Sequence, residues 1–191
     1  MNRPASESPL TAGPLLLIAM IAVAALSRVL PHPPNFSPVE AIALFGGAYF
    51  ASRRWALIVP LAALLASDLV LAALNGGLYA SWFSSAGIWL VYLCVALSAL
   101  LGFALRGRVN SSRVLGYSLL GSVLFFLVTN FGAWLSDPMY ARNAAGLAAA
   151  YVAGIPFFQW TVLSTLMYSA LLFGVFALLR NRLPSLRAHT A

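Results

Sequence analysis

Charged residues are scarce in this chain: they make up 8% of its 191 residues, against about a quarter of a typical soluble domain. Lysine is absent, so all eleven basic residues are arginines, set against four acidic residues. The arginines stand singly or in small groups between apolar runs, which argues against a nucleic-acid partner. The single cysteine, Cys94, excludes an internal disulfide and a cysteine-based zinc cluster. The 62% of apolar residues is typical of an integral protein of the lipid bilayer.

The apolar runs predict an all-α polytopic membrane protein with six transmembrane helices, since one crossing takes about 20 apolar residues. The last run, from Ala144 to Leu179, is too long for one crossing, and Gly154-Ile155-Pro156 is expected to break it. The predicted segments are Pro14–Leu30, Ser37–Ser52, Trp55–Leu74, Ala86–Leu105, Val114–Leu135, a short interfacial helix Ala144–Ala153, and Phe157–Leu179. As an alternative, the first segment is a signal peptide cleaved near Ala22-Val23-Ala24.

The arginines also predict an orientation. Nine of the eleven fall in the N-terminal tail, the second and fourth loops and the C-terminal tail, and only Arg28 and Arg142 fall on the other side. Because cytoplasmic loops are enriched in basic residues, both termini are expected in the cytoplasm. The domain organisation follows as a cytoplasmic tail at residues 1–13, one six-helix domain at residues 14–179 and an arginine-rich cytoplasmic tail at residues 180–191.

Polar residues recur at one depth of the predicted bundle. Asp68 and Asn130 lie six and five residues before the outer ends of their spans, so Asp68 is about 9 Å below the boundary at 1.5 Å per residue. Gln159 and Glu40 lie near the outer starts of theirs. Ionisable groups inside a membrane are functional candidates, so these four side chains predict a ligand pocket open to the outside. The alternative is structural, with Asp68, Asn130 and Gln159 as hydrogen-bonding links between helices.

The second span is short, and its start carries two possible signals. Ser37, Pro38 and Glu40 fit a capping box, with Ser37 as N-cap. A helix from Pro38 to Ser52 would be about 22 Å long against a hydrocarbon core of about 30 Å. Its N-terminus is therefore expected below the outer surface, preceded by an irregular loop. Such backbone is tolerated where it lines a wet cavity, and a helix N-terminus there suits an anionic or carbonyl-rich ligand.

Four further residues complete the candidate site. Asn35 and His32 belong to the loop before the second span, and His32 is a weak candidate metal or pH-sensing residue, because no second ligand is near it in sequence. Two aromatic residues are expected to form walls of the site, because aromatic rings give a large contact area. Trp134 lies one turn after Asn130, and Phe158 directly precedes Gln159. No catalytic motif, cofactor motif or metal motif is found, so neither an enzyme nor a cofactor is predicted. Small residues four apart, as at Ala43/Gly47 and Ser98/Gly102, indicate close helix packing.

Three segments resemble the signatures of a family of small bacterial inner-membrane proteins of unknown function. They are residues 28–38, 125–134 and 155–158, with the sequences RVLPHPPNFSP, FFLVTNFGAW and IPFF. That family is similar in size and layout to the substrate-binding S components of energy-coupling-factor vitamin transporters, which implies six helices and an outer ligand pocket. S components typically carry an Ala-x-x-x-Ala pair in the first helix for docking, whereas here Ala19 is followed by Val23 and Ala22 by Leu26.

The functional hypothesis is a substrate-binding membrane protein of the bacterial inner membrane that takes up a small polar or anionic, vitamin-like molecule. Its ligand site would comprise Asp68, Asn130, Gln159, Glu40, Asn35, His32, Trp134 and Phe158. The alternative is a non-transporting accessory or assembly subunit of a larger membrane complex, with a membrane partner subunit. Fold alone does not decide between them.

Overall fold

The structure, a computed structural model, describes residues 12–76, 85–187 and 190–191. Within these ranges the regular secondary structure is helical, apart from an isolated antiparallel pairing of Phe50 with Thr190. Two short 3-10 turns, Ser27–Val29 and Pro184–Arg187, follow the first and last helices. The described residues form six α-helices: α1 Ala12–Leu26, α2 Val39–Tyr49, α3 Arg53–Asn75, α4 Ala86–Phe103, α5 Ser111–Ser136 and α6 Ala144–Arg182. The predicted all-α fold is confirmed for the described residues.

In the part of the chain that the structure describes, four helical segments are long and apolar enough to cross a membrane: Ala12–Val29, α3, α5 and α6. Many of their large apolar side chains are exposed, including Val23 at 70% and Leu178 at 64%. Apolar surface on this scale is typical of contact with lipid rather than water. The chain is therefore a multi-pass membrane protein, and α2 and α4 are its two shorter apolar helices.

Helix α2 lies at the centre of the bundle, and every one of its eleven residues is buried. It packs against α1, α3, α4 and α6. Its closest approach is to α4, where Gly47 and Gly102 face each other so tightly that a Cβ atom on either would meet the other helix's backbone. Small residues at a helix crossing allow this approach. The predicted use of these two glycines in close packing is confirmed.

An aromatic cluster fills the core on the other side of α2. Phe45 makes edge-to-face contacts with Tyr49, Phe173 and Phe176, with ring centroids 5.2 to 5.7 Å apart. All four rings are buried. Such pairs add about 0.5–1.5 kcal/mol each beyond the burial of their area. The second half of α6 is thereby fixed against the central helix.

The predicted break at Gly154-Ile155-Pro156 is wrong, because α6 continues through it as one helix of 39 residues. Proline removes one backbone hydrogen bond and costs about 3 kcal/mol in a helix interior. Contacts with α5 on both sides of Pro156 stabilise the continuous helix. The ring of Phe126 on α5 contacts both Tyr151 and Phe158, and Tyr151 Oη donates to the Leu127 carbonyl.

The predicted capping box at the start of α2 is also wrong. The helix begins at Val39 with Pro38 as its N-cap, and no side chain caps it. The Ser37 hydroxyl is buried without a hydrogen-bond partner, and Glu40 points towards α4 instead of back towards Ser37. Asparagine supplies the side-chain caps seen elsewhere, where Asn110 and Asn143 accept from the backbone N–H groups of Arg113 and Gly146 at the starts of α5 and α6.

At the C-terminal end of α2, the Arg106 side chain bonds to carbonyl groups that a further turn of helix would otherwise engage. Its guanidinium donates to the carbonyls of Gly47, Phe50 and Ala51 and lies 4.3 Å from the ring centroid of Phe103. The pKa of Arg106 is lower than its ordinary value, mainly because the side chain is partly buried and secondly because of the nearby charge of Arg53. The three carbonyls offset this cost, since they are the unpaired acceptors that a helix end leaves.

Replacing Arg106 with alanine is expected to lower the free energy of unfolding by about 2 kcal/mol, since bonds to charged groups contribute roughly 1.5–3 kcal/mol. Arg106→Lys should recover only part of this, because an ammonium cannot match the planar fork of donors. Arg108→Ala, at an exposed position two residues on, is the matched control. Thermal unfolding in one detergent compares the three, and an Arg106→Ala variant as stable as Arg108→Ala would contradict the role.

Candidate functional site

A cavity of about 500 Å³ lies beside the N-terminal end of α2. We call it the polar cavity. Its walls come from α2 to α6 and from the irregular segment of residues 30–38, with Arg28 from the turn that follows α1. Its lining residues are Arg28, His32, Asn35, Ser37, Val39, Glu40, Asp68, Leu71, Ile88, Val91, Phe125 and Thr161. Four of the predicted site residues, from three separate parts of the sequence, therefore meet here.

An ion pair forms one wall of the polar cavity. Arg28 NH1 lies 2.7 Å from Asp68 Oδ1, and it also donates to the Ser67 hydroxyl at 2.5 Å. Tyr92 Oη donates to the second carboxylate oxygen of Asp68 at 3.0 Å. Asp68 is only 2% exposed. Both of its oxygens are thus engaged by the protein, so it links α3 to α4 and to the turn that follows α1, as well as lining the cavity.

Glu40 differs from Asp68, since one of its carboxylate oxygens has no protein partner. The side chain is 2% exposed, in the first turn of α2. Ser98 Oγ on α4 donates to Oε2, whereas Oε1 is buried with no hydrogen-bond partner. Burying a polar atom without a partner is costly, and such atoms in native proteins need an explanation.

The exposed residues of the cavity are His32 and Asn35. The His32 ring nitrogens lie 2.9 and 3.2 Å from the carbonyl oxygens of Pro33 and Arg28. Asn35 has a φ of +63°, in the left-handed region that asparagine tolerates better than most residues. The exposed pair forms the mouth of the polar cavity, while Glu40 and Asp68 lie at its buried end.

A second, much smaller cavity of about 80 Å³ adjoins the polar cavity and shares Asn35, Phe125 and Thr161 with it. Asn130 and Phe158 line this smaller cavity. The Asn130 amide donates to the Phe126 carbonyl of its own helix and packs directly against Gly154 of α6. Asn130 therefore hydrogen-bonds within its own helix, contacts α6 through packing, and lines the smaller cavity.

Gln159 and Trp134 lie away from both cavities. Gln159 is exposed and donates to the Pro156 carbonyl. It stands two residues, or about 200° of helical rotation, from Thr161 and so lies on the opposite face of α6. Trp134 is about one turn beyond Asn130, where its indole donates to the Ala141 carbonyl in the loop between α5 and α6. The structure places these two predicted ligand residues outside the site.

The site also includes Arg28, Ser98 and Tyr92, which were not among the residues predicted from the sequence. A signal for Arg28 was present, since a buried carboxylate needs a counter-charge and only two arginines lie on that side of the predicted topology. Nothing in the sequence pattern pairs Ser98 with Glu40, because they lie 58 residues apart on different helices.

A larger cavity of about 970 Å³ lies at the opposite end, between α5 and the second half of α6. It contains none of the predicted site residues. The hydroxyls of Ser118 and Ser169, which line it, bond to each other at 2.9 Å.

Among the described residues, no three His, Cys, Asp or Glu side chains come together to hold a metal ion. The chemistry offered by the polar cavity is binding through a carboxylate, hydroxyls and an amide.

Comparison with known proteins places the chain in a family. No curated protein and no solved structure matches it. Residues 9–186 match the model of a family described as "Family of unknown function (DUF6580)", which covers nearly the whole chain. The chain belongs to this DUF6580 family.

Proposed function

We propose that this protein binds a small polar molecule in the polar cavity and takes part in its uptake across the membrane. The observation that carries the proposal is the unpartnered Glu40 oxygen at the buried end of a cavity whose exposed rim is polar. Ligand sites combine apolar walls with a few placed polar groups. The cavity has this make-up, with Val39, Leu71 and Val91 as apolar wall and Glu40 as a polar anchor.

The orientation forms part of the proposal. Seven described arginines, at positions 53, 54, 106, 108, 113, 180 and 182, flank the helix ends far from the polar cavity. Three of them meet at the end of α4, where Arg53 and Arg106 lie over the ring of Phe103 and Arg113 donates to the Ala104 carbonyl. A basic side faces the cytoplasm by the positive-inside rule. The polar cavity then opens outward, with both termini inside.

Six crossings require α2 to span with the help of its flanking segments. Its eleven residues are about 16 Å long, so residues 30–38 and 50–52 supply the remaining distance. Irregular backbone at membrane depth is tolerated where protein surrounds it or where it lines a cavity. The full burial of α2 and the cavity beside residues 30–38 support this arrangement.

The location and the mode of action rest on the resemblance of the sequence to small bacterial inner-membrane proteins and, in layout, to S components. In this proposal the protein is a multi-pass protein of the inner membrane, and it captures the ligand while a partner subunit or an ion gradient supplies the energy of uptake. Residues 14–179 form the transmembrane domain between two short cytoplasmic tails.

Native mass spectrometry of the gently solubilised protein tests the proposal. We expect a reproducible non-lipid adduct on the wild-type protein and its loss in Val91→Phe, because the larger side chain fills the cavity. Leu93→Phe is the matched control, since Leu93 lies on the same helix and is exposed outside the cavity. An adduct that is absent, or that persists in all three proteins, would refute ligand binding here. A complex with another polypeptide in place of an adduct would favour the accessory-subunit function.

A further inference from the structure

Glu40 is the acidic residue of the polar cavity that has no counter-charge from the protein. Of the cavity's ionisable lining residues apart from His32, Arg28 and Asp68 neutralise each other in an ion pair, which leaves the carboxylate of Glu40. The hydrogen bond from Ser98 engages one oxygen of Glu40 without changing its charge. An anionic ligand would therefore meet a buried carboxylate and pay for like-charge repulsion at low dielectric.

The position of Glu40 favours its ionised form when a counter-charge is bound. The residue lies in the first turn of α2, where the helix dipole stabilises a negative side chain. Glu40 and Ser37, which each carry an unpartnered oxygen, both line the polar cavity. Oε1 in particular lacks a donor, and an ammonium group supplies one together with a compensating charge.

From this arrangement we infer that the polar cavity selects a small cationic molecule, a protonated amine with an apolar body, and that Glu40 is its counter-charge. Ile88, Val91 and Phe125 line the wall beside the carboxylate and contact the apolar part. The inference rests on the proposed function for the existence of a ligand site, and it replaces the anionic ligand expected from the helix terminus alone.

Cysteine labelling with charged reagents tests this selectivity. Cys94 is the only cysteine, so Cys94→Ala provides a clean background. Leu71→Cys places a thiol on the cavity wall, and Leu74→Cys, on the same helix at a 65% exposed position, serves as the reference. Each thiol is reacted with trimethylammonium-ethyl and with sulfonato-ethyl methanethiosulfonate, and the ratio of the two rates is compared between the two positions.

We expect the cation-to-anion rate ratio at position 71 to exceed that at position 74 by about tenfold, as one nearby charge at intermediate dielectric implies. Glu40→Gln should reduce this excess to about one. Equal ratios at the two positions with Glu40 intact would overturn the inference without any need for the Glu40 variant to fold. They would leave the proposed binding function standing.

The same experiment distinguishes failure of the proposed function from failure of the inference alone. Labelling of Leu74→Cys by both reagents, with no labelling of Leu71→Cys by either, would mean that the cavity is closed to water. That result would refute both the proposed function and the inference. An excess at position 71 that persists in Glu40→Gln would overturn the role of Glu40 and assign the selectivity to another group.

Discussion

Gly47→Ala is expected to destabilise the protein by about 3 kcal/mol or to prevent its folding. The added Cβ would overlap the Ala99 carbonyl oxygen and press on Gly102 of α4. These are backbone atoms, so the clash cannot be relieved by a side-chain rotation, and the two helices must separate. Overpacking commonly costs about 1–3 kcal/mol even where side chains can move. Because α2 is the central helix, its displacement disturbs most of the bundle.

The matched control is Gly116→Ala on α5, where an added Cβ meets nothing within 4 Å. Alanine is the better helix former by about 1 kcal/mol, so this variant should be as stable as the wild type or more so. Thermal unfolding followed by size-exclusion chromatography measures both. Equal stability of Gly47→Ala and Gly116→Ala would show that α2 and α4 do not cross at the glycines.

Asp68→Asn is expected to lower the free energy of unfolding by about 3 kcal/mol, because it leaves Arg28 without its counter-charge. Removing one partner of a buried ion pair typically costs about 3–5 kcal/mol. We expect the low end of this range, because the Arg28 side chain is still 13% exposed. Tyr92 and Ser67 can still bond to an amide and to the guanidinium, respectively.

The double variant Arg28→Gln with Asp68→Asn should recover most of the lost stability, since no uncompensated charge remains. A double-mutant cycle on unfolding free energies measures the coupling directly. If the double variant is no more stable than Asp68→Asn, the two residues do not act as a pair. The cycle also measures how far Asp68→Asn is destabilised. A loss of ligand binding in that variant can then be assigned either to unfolding or to the missing Asp68 carboxylate.

Much of the fold was predictable from the sequence because apolar length dominates in a membrane protein. The predicted spans agree with α1, α3, α4 and α5 to within a few residues at each end. The continuity of α6 was not predictable, since Pro156 predicts a break locally and the contacts of Phe126 with Tyr151 and Phe158 that oppose it come from another helix. Tertiary packing here overrides a local signal.

The sequence predicted that Glu40 and Asp68 lie near each other but not which residues they bond to. The spacing of Glu40 and Asp68 from their helix ends placed both in one layer, and the structure brings both to one cavity. The capping box failed because its pattern uses only local residues, whereas Ser98 offers Glu40 a hydroxyl across the α2–α4 crossing. Gln159 was misplaced because depth alone does not give the face of the helix on which a residue lies.

Cryo-electron microscopy of the wild-type protein, purified in lipid nanodiscs with any co-purifying small molecule retained, tests whether the polar cavity is a binding site. We expect non-protein density inside the polar cavity, within hydrogen-bonding distance of Glu40 Oε1 and close to Asn35. A polar cavity without density, combined with density in the larger cavity between α5 and α6, would contradict this expectation. The binding site would then lie at the arginine-rich end of the protein.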